Sequence, residues 1–198
     1  MKKSILTTLV FCIFAVTASG QEGQSSEAEM MAKYMELAEP GPEHEFIAKM
    51  TGTWDLDGKM WVTPGSEPMT FQSVSNSKMV LGGRFLMSEA EGEWGGMPAQ
   101  NIGFLGFDRR HEKFTTVGFD NFGTYWVTAS GDYNEETKTL TMYGEDEDPI
   151  MGFVQKYNFV WDFESDDKMT FSVVFFNPEF TGGADEFKMI EIVYTRKK

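Results

Sequence analysis

The sequence predicts an all-β protein, an antiparallel up-and-down barrel of about ten strands behind a short N-terminal helical segment. Three observations lead there. From Gly52 onward threonine, valine, phenylalanine, tryptophan and tyrosine dominate, and turn residues recur every ~8 to 12 residues. Apolar and polar residues alternate within the runs between turns, which is the period of a half-buried strand. The links are short, so neighbours in sequence pair in space, and closing such a meander removes two edges that would otherwise pair with other chains.

The strands fall at residues 53–63, 69–78, 84–94, 99–107, 113–120, 124–133, 138–144, 153–163, 168–176 and 186–196. Between them lie turn formers such as Pro64-Gly65-Ser66, Gly82-Gly83, Gly95-Gly96, Asn121-Phe122-Gly123 and Gly182-Gly183. Alternation places Trp54, Leu56, Met60 and Val62 inward, with Asp55, Asp57 and Lys59 outward. It does the same for Tyr157, Phe159, Trp161 and Phe163, and for Met169, Phe171, Val173 and Phe175. An eight-stranded barrel is just wide enough for side chains or one small ligand, so about ten strands leave more room unless bulky residues fill it.

Residues 1–20 read as a signal peptide: Lys2 and Lys3, an apolar run from Ile5 to Val16, then Ala18-Ser19-Gly20 as a small-residue cleavage site. The expected destination is the periplasm or the outside of the cell, with no membrane insertion after cleavage. Cys12 is the single cysteine and lies in the segment expected to be removed, so no disulfide serves the mature fold. Phe11 stands where a lipid-attachment signal needs a small residue. Residues 21–42 read as a linker followed by a helix, with Ser25 or Ser26 capping a stretch from Glu27 to Ala38. A second helix is predicted from Glu43 to Met50, behind Pro42 and ahead of Gly52. Residues 43–198 form the barrel domain.

The net charge of −14 becomes −16 once Lys2 and Lys3 leave, with 15 basic against 31 acidic residues. Such a surface repels phosphate backbones and anionic membranes, so nucleic acid is excluded as a partner. The 178 residues after the leader fit one domain that buries roughly 70% of its unfolded surface.

Gly52-Thr53-Trp54 follows the short helix and opens the first strand, as the G-x-W motif does in lipocalins and other calycins. Further on stand Leu81-Gly82-Gly83-Arg84-Phe85-Leu86, Ile102-Gly103-Phe104-Leu105-Gly106-Phe107-Asp108 and the ending Tyr194-Thr195-Arg196-Lys197. Together they resemble the bacterial domain of unknown function family 1579, over about Glu43 to Lys198. The resemblance implies a calycin-like barrel and no established activity. By analogy with lipocalins it also implies structural roles for Gly52, Trp54 and Arg196, with Trp54 closing the barrel floor and the Arg196 guanidinium stacked on its indole. That contact is worth ~0.5–2 kcal/mol. A related barrel family, nitrobindin, holds haem through an interior histidine. Here His44 falls on the pre-barrel helix and His111 in the Asp108-Arg109-Arg110-His111 turn, so both read as surface residues and no haem or other cofactor is expected.

Catalytic and metal signatures are not found. The mature chain has two histidines, no G-x-S-x-G elbow, no H-E-x-x-H and no G-x-G-x-x-G leading into a helix. The run Glu145-Asp146-Glu147-Asp148 lacks the spacing of a calcium loop and reads as a solvated hairpin tip. The leading expectation is therefore a binding barrel for a small apolar or amphipathic molecule, lined by Met60, Phe71, Phe85, Phe104, Tyr125, Tyr157, Phe159, Trp161 and Phe171, with Glu191 as a possible interior acid. The alternatives are an enzyme using an interior carboxylate as acid or base, with Glu191 as its candidate, and a non-catalytic envelope scaffold.

Overall fold

The computed structural model describes residues 21–198, with side chains from Ser26 onward. The predicted leader, residues 1–20, lies outside the described residues. Helix α1 spans Gln21–Ala38 and is a unit by itself. It already includes Gln21–Ser26, read above as a linker: glutamine and glutamate are good helix formers, and Gly23 alone does not break the run.

The barrel unit begins with α2, Pro42–Ala48. Pro42 sits in its first turn, where the missing N–H is not needed. Ten strands follow: β1 Gly52–Met60, β2 Met69–Val80, β3 Phe85–Trp94, β4 Met97–Asp108, β5 Lys113–Asp120, β6 Val127–Asn134, β7 Thr139–Asp148, β8 Phe153–Ser165, β9 Lys168–Phe175 and β10 Phe187–Arg196. Each pairs antiparallel with its neighbours in sequence, and β1 pairs with β10 to close the ring. Ten predicted strands meet ten observed ones. One short helix went unread, α3 at Pro178–Thr181, between β9 and β10. Val62 lies beyond the end of β1 and is 62% exposed, so it is not an inward residue.

Closure depends on one cluster. Trp54 pairs with Arg196 across the β1–β10 seam, and the guanidinium carbon sits 4.1 Å from the indole centroid. The same guanidinium donates to the Lys49 carbonyl at 2.7 Å, to the Asp166 carbonyl at 2.8 and 3.1 Å, and to the Thr51 carbonyl. Its Nε also lies 3.0 Å from the Asp167 carboxylate. One side chain thus ties the end of α2, the start of β1 and the β8–β9 turn to the last strand. Trp54 is 1% exposed and its Nε1 donates to the Met50 carbonyl at 3.0 Å, which satisfies the one polar atom that burial would otherwise strand. Gly52 is required here: its φ is +123°, and a Cβ would lie 2.8 Å from Arg196 Nη1.

Helix α2 plugs this end. Ile47 is fully buried, and the Phe46 ring meets Tyr133 at 4.4 Å, Phe163 at 5.1 Å and Phe114 at 5.8 Å. Leu86, Leu140 and Met142 complete the floor, each 2% exposed or less. We expect Arg196→Ala to lower the unfolding free energy by about 2–4 kcal/mol in urea denaturation, because it strands several carbonyls and one indole face together. Arg196→Lys is expected to restore less than half of that, since an ammonium cannot reproduce the planar fork. Full restoration by lysine would show that charge alone matters.

Candidate functional site

Antiparallel partners point to the same side of a sheet, so the inward set can be traced around the ring from the buried pair Trp54 and Arg196. On β10 the inward residues are Ile190, Ile192, Tyr194 and Arg196. On β9 they are Met169, Phe171, Val173 and Phe175, and on β8 Phe153, Gln155, Tyr157, Phe159, Trp161 and Phe163. On β7 they are Leu140, Met142, Gly144, Asp146 and Asp148. Across the ring the wall changes character. The inward residues of β2 and β3 include Ser73, Ser75, Ser77, Ser88, Ala90 and Gly92, and those of β4 and β5 include Ala99, Asn101, Gly103, Thr116, Gly118 and Asp120.

One side of the lining is therefore aromatic, and the facing side is small in its middle, between Leu86, Leu105, Phe107 and Phe114 at the α2 end and Phe71 and Trp94 at the other. The aromatic side is a connected ladder. Trp54 meets Tyr194 at 6.4 Å, Tyr194 meets Trp161 at 5.1 Å, and Trp161 meets Phe171 at 4.6 Å. Phe171 meets Phe159 at 5.5 Å, and Phe159 stacks on Tyr157 at 5.0 Å. Edge and offset contacts of this kind add ~0.5–1.5 kcal/mol each beyond burial. Strand β4 stands five steps around the ring from β9, so Gly103 and Gly118 face the side that carries Phe171 and Ile192. A Cβ built on Gly103 would meet only Val117 and Asn101, at 3.8 and 4.0 Å, and one on Gly118 only Val127, at 3.5 Å, so no atom of the facing wall comes within 4 Å of either.

The barrel is sealed at the α2 end, and above it the lining is mixed: Tyr157, Val173 and Phe175 are buried, with the Phe180 ring of α3 4.7 Å from Phe175, whereas other inward residues keep partial exposure. Phe159, Trp161, Phe171 and Ile192 point inward yet remain partly exposed, as do Ser77, Ser88, Ala90 and Gly103. At the far end Asn101 and Asp120 are exposed. The loops of that end carry solvent-facing apolar side chains: Phe122 at 49%, Tyr125 at 64%, Trp126 at 62%, Met151 at 53% and Ile150 at 93% exposure.

The candidate residues divide. Met60, Phe71, Tyr157, Phe159, Trp161 and Phe171 are on the inner wall, Phe71 with its ring against Gly58. Phe85 and Phe104 face outward: their partners Val80, Gly106, Met87 and Val117 belong to the outer set. They line a groove of about 490 Å³ on the outer wall with Val117 and Tyr143. Tyr125 is not in a strand, because β6 begins only at Val127. Glu191 also faces outward, paired with Lys59 and ion-paired with Lys188, so it is no interior acid. A bulge between Lys188 and Ile190 shifts the register there, and Met189 packs against the core while Glu191 does not.

The residues that sequence reasoning missed are Asp146, Gln155, Ile192 and the small wall around Gly103. The acidic run is a strand segment, not a tip: Asp146 pairs with Gln155 and Asp148 with Phe153 on the inner side, while Glu145 and Glu147 face out. The signal was available in the period of two, which puts Asp146 in line with Leu140, Met142 and Gly144.

The family model of proteins of unknown function designated DUF1579 matches residues 39–196. The chain belongs to that family. Among solved structures, the crystal structure of Rv2717c from M. tuberculosis is similar with a TM-score of 0.56 and 15% identity, covering 81% of this chain and 100% of that one. A redesigned β-barrel is more distantly similar, with a TM-score of 0.37 and 13% identity over 76% of this chain and 93% of its own. A search of curated proteins finds no match. The DUF1579 match begins at Glu39, next to α2, and ends at Arg196, so it encloses the whole sealed end.

His44 is not a surface residue in this DUF1579 barrel. It is 6% exposed, edge-on to Phe107 at 6.3 Å, and its Nδ1 accepts the Gly41 backbone N–H at 3.0 Å. Burial depresses its basicity below the ordinary value of 6.5, with Arg109 and Arg84 adding to the effect and Glu43 opposing it. His111, by contrast, sits exposed in the β4–β5 turn beside Asp108. A histidine whose folded pKa is depressed gives stability that is complete above its unfolded value and is lost as pH falls below it. The native protein is therefore expected to lose stability from about pH 6.5 downward more steeply than His44→Asn, whose Oδ1 can still accept the Gly41 N–H. Denaturant titrations at several pH values read the difference, and parallel curves for the two proteins would contradict it.

Proposed function

We propose that this protein is a binding barrel, exported from the cytoplasm, that holds a small apolar or amphipathic molecule in its partly exposed upper half. The observation that carries the reading is the partial exposure of Phe159, Trp161, Phe171 and Ile192 although all four point toward the barrel axis. A core filled by its own side chains would bury them. Instead they face a wall whose middle is serine, alanine and glycine, and none of their atoms comes within 4 Å of a Cβ built on Gly103. An apolar ligand would recover the burial that these rings lack, at ~25 cal/mol per Å² of apolar surface. Export rests on the leader pattern of residues 1–20. The enzymatic alternative loses its candidate acid, because Glu191 lies on the outer wall.

Neutral N-phenyl-1-naphthylamine is a suitable probe, since its fluorescence rises in an apolar site. We expect saturable binding to the full chain and its loss in Gly103→Phe, whose ring would occupy the cavity, while circular dichroism and the melting temperature show the variant folded. Unchanged binding in Gly103→Phe, or no binding by the native protein, would refute the cavity. Native mass spectrometry of protein purified from its own host is expected to show a retained small molecule.

A further inference from the structure

We propose that the cavity selects cationic amphiphiles, molecules with an apolar body and a protonated amine, and that Asp146 supplies the counter-charge at the mouth. The inference rests on the cavity reading above and adds the class of ligand to it.

The three inward carboxylates of the upper barrel are not equivalent. Asp120 accepts the backbone N–H groups of Phe122 and Gly123 at 2.8 and 3.2 Å, so it is occupied in shaping its own turn. Asp148 does the same for Ile150 and Met151 at 2.8 and 3.0 Å and also accepts from Gln155 Nε2 at 3.0 Å. Asp146 has no such hydrogen bond among the described residues. Its place beside Gln155 sets it at the top of the aromatic ladder, next in line to Tyr157. The Tyr157 phenol is raised by burial and then by the Asp146 carboxylate, which places that carboxylate within electrostatic reach of the inner wall.

The surroundings favour a cation. Among the described residues the one Lys or Arg on the inner wall is Arg196, which is engaged at the sealed end. The mouth loops, residues 61–68, 95–96, 121–126, 149–152 and 176–186, contain Glu67, Glu179, Asp185 and Glu186 and no lysine or arginine. A cleft bordered by one sign of charge concentrates the opposite ion at its opening. Below Asp146 the faces of Tyr157, Phe159 and Trp161 suit both an alkyl or aryl body and a nearby ammonium. An anionic amphiphile of the same length would meet carboxylates at the rim and no inward cation in the upper half.

Three ligands of equal length separate charge from apolar binding: decylamine, decanol and decanoate, titrated below micelle formation at neutral pH and followed by calorimetry on the full chain. The native protein is expected to bind decylamine at least about tenfold more tightly than decanoate, the size of one charge-assisted hydrogen bond. Asp146→Asn is expected to bring decylamine to within about threefold of decanol while decanol binding is unchanged, which also reports that the variant is folded. Glu147→Gln, the outward neighbour in the same acidic run, is expected to keep the preference. Equal binding of amine and carboxylate by the native protein would overturn the assignment, as would an equal loss in Glu147→Gln, which would trace the effect to bulk charge. Failure of all three to bind would instead remove the cavity reading, and this inference with it.

Discussion

Arg196 stacked on Trp54 is the interaction on which the rest of the structure depends. It joins the last strand to the first, so it decides that the sheet is a ring and not a ribbon with two free edges. The guanidinium suits this position because its planar fork meets an indole face and several loop carbonyls at once. Gly52 leaves space for it, and the Trp54 indole N–H is satisfied by the helix that plugs the floor.

The same pair fixes which face of every strand looks inward. Side chains alternate with a period of two, so one residue of known direction sets its strand, and antiparallel pairing carries that setting to the next. Carried around ten strands, it yields an aromatic wall on β8 to β10 and a facing wall on β2 to β5 whose middle is small. The proposed binding function rests on that asymmetry. Aromatics on both sides would fill the lumen, and small residues on both sides would leave little to bind an apolar molecule. The buried core starts at the sealed end and runs up the β8–β9 wall to Tyr157 and Phe175, and the proposed ligand would lie against the partly exposed rings beside it.

Much of this was legible in the residues. Ten strands, the Gly52-Thr53-Trp54 opening, and the inward faces of β8 and β9 were all readable, because in those strands one parity is apolar and the other polar. Where both parities are apolar, alternation is silent. In β10 the sets Ile190, Ile192, Tyr194 and Met189, Val193 compete, and the face that Glu191 shares with Val193 was taken as a candidate inner one, whereas it faces out. The Trp54–Arg196 contact already contained the answer, since an inward Arg196 requires an outward Glu191. In β3 and β4, Phe85 and Phe104 face out because Leu86 and Leu105 take the core, a choice made by register and invisible to composition. Asp146 was hidden for another reason: a run of four acids suggests solvent, whereas a strand divides such a run between its two faces. His44 was misread because exposure depends on what packs against a helix, here Phe107 and the turn at Gly41.

The central claim is that the upper barrel encloses usable space between the Phe171 wall and the Gly103 wall. A high-resolution crystal structure of protein purified from its native host, inspected between those two residues, tests it most directly. The account predicts continuous density there, from a bound molecule or ordered water, with Phe159 and Trp161 held back along their own wall. Rings swung across the lumen and packed against Gly103 and Gly118, with nothing between, would contradict it.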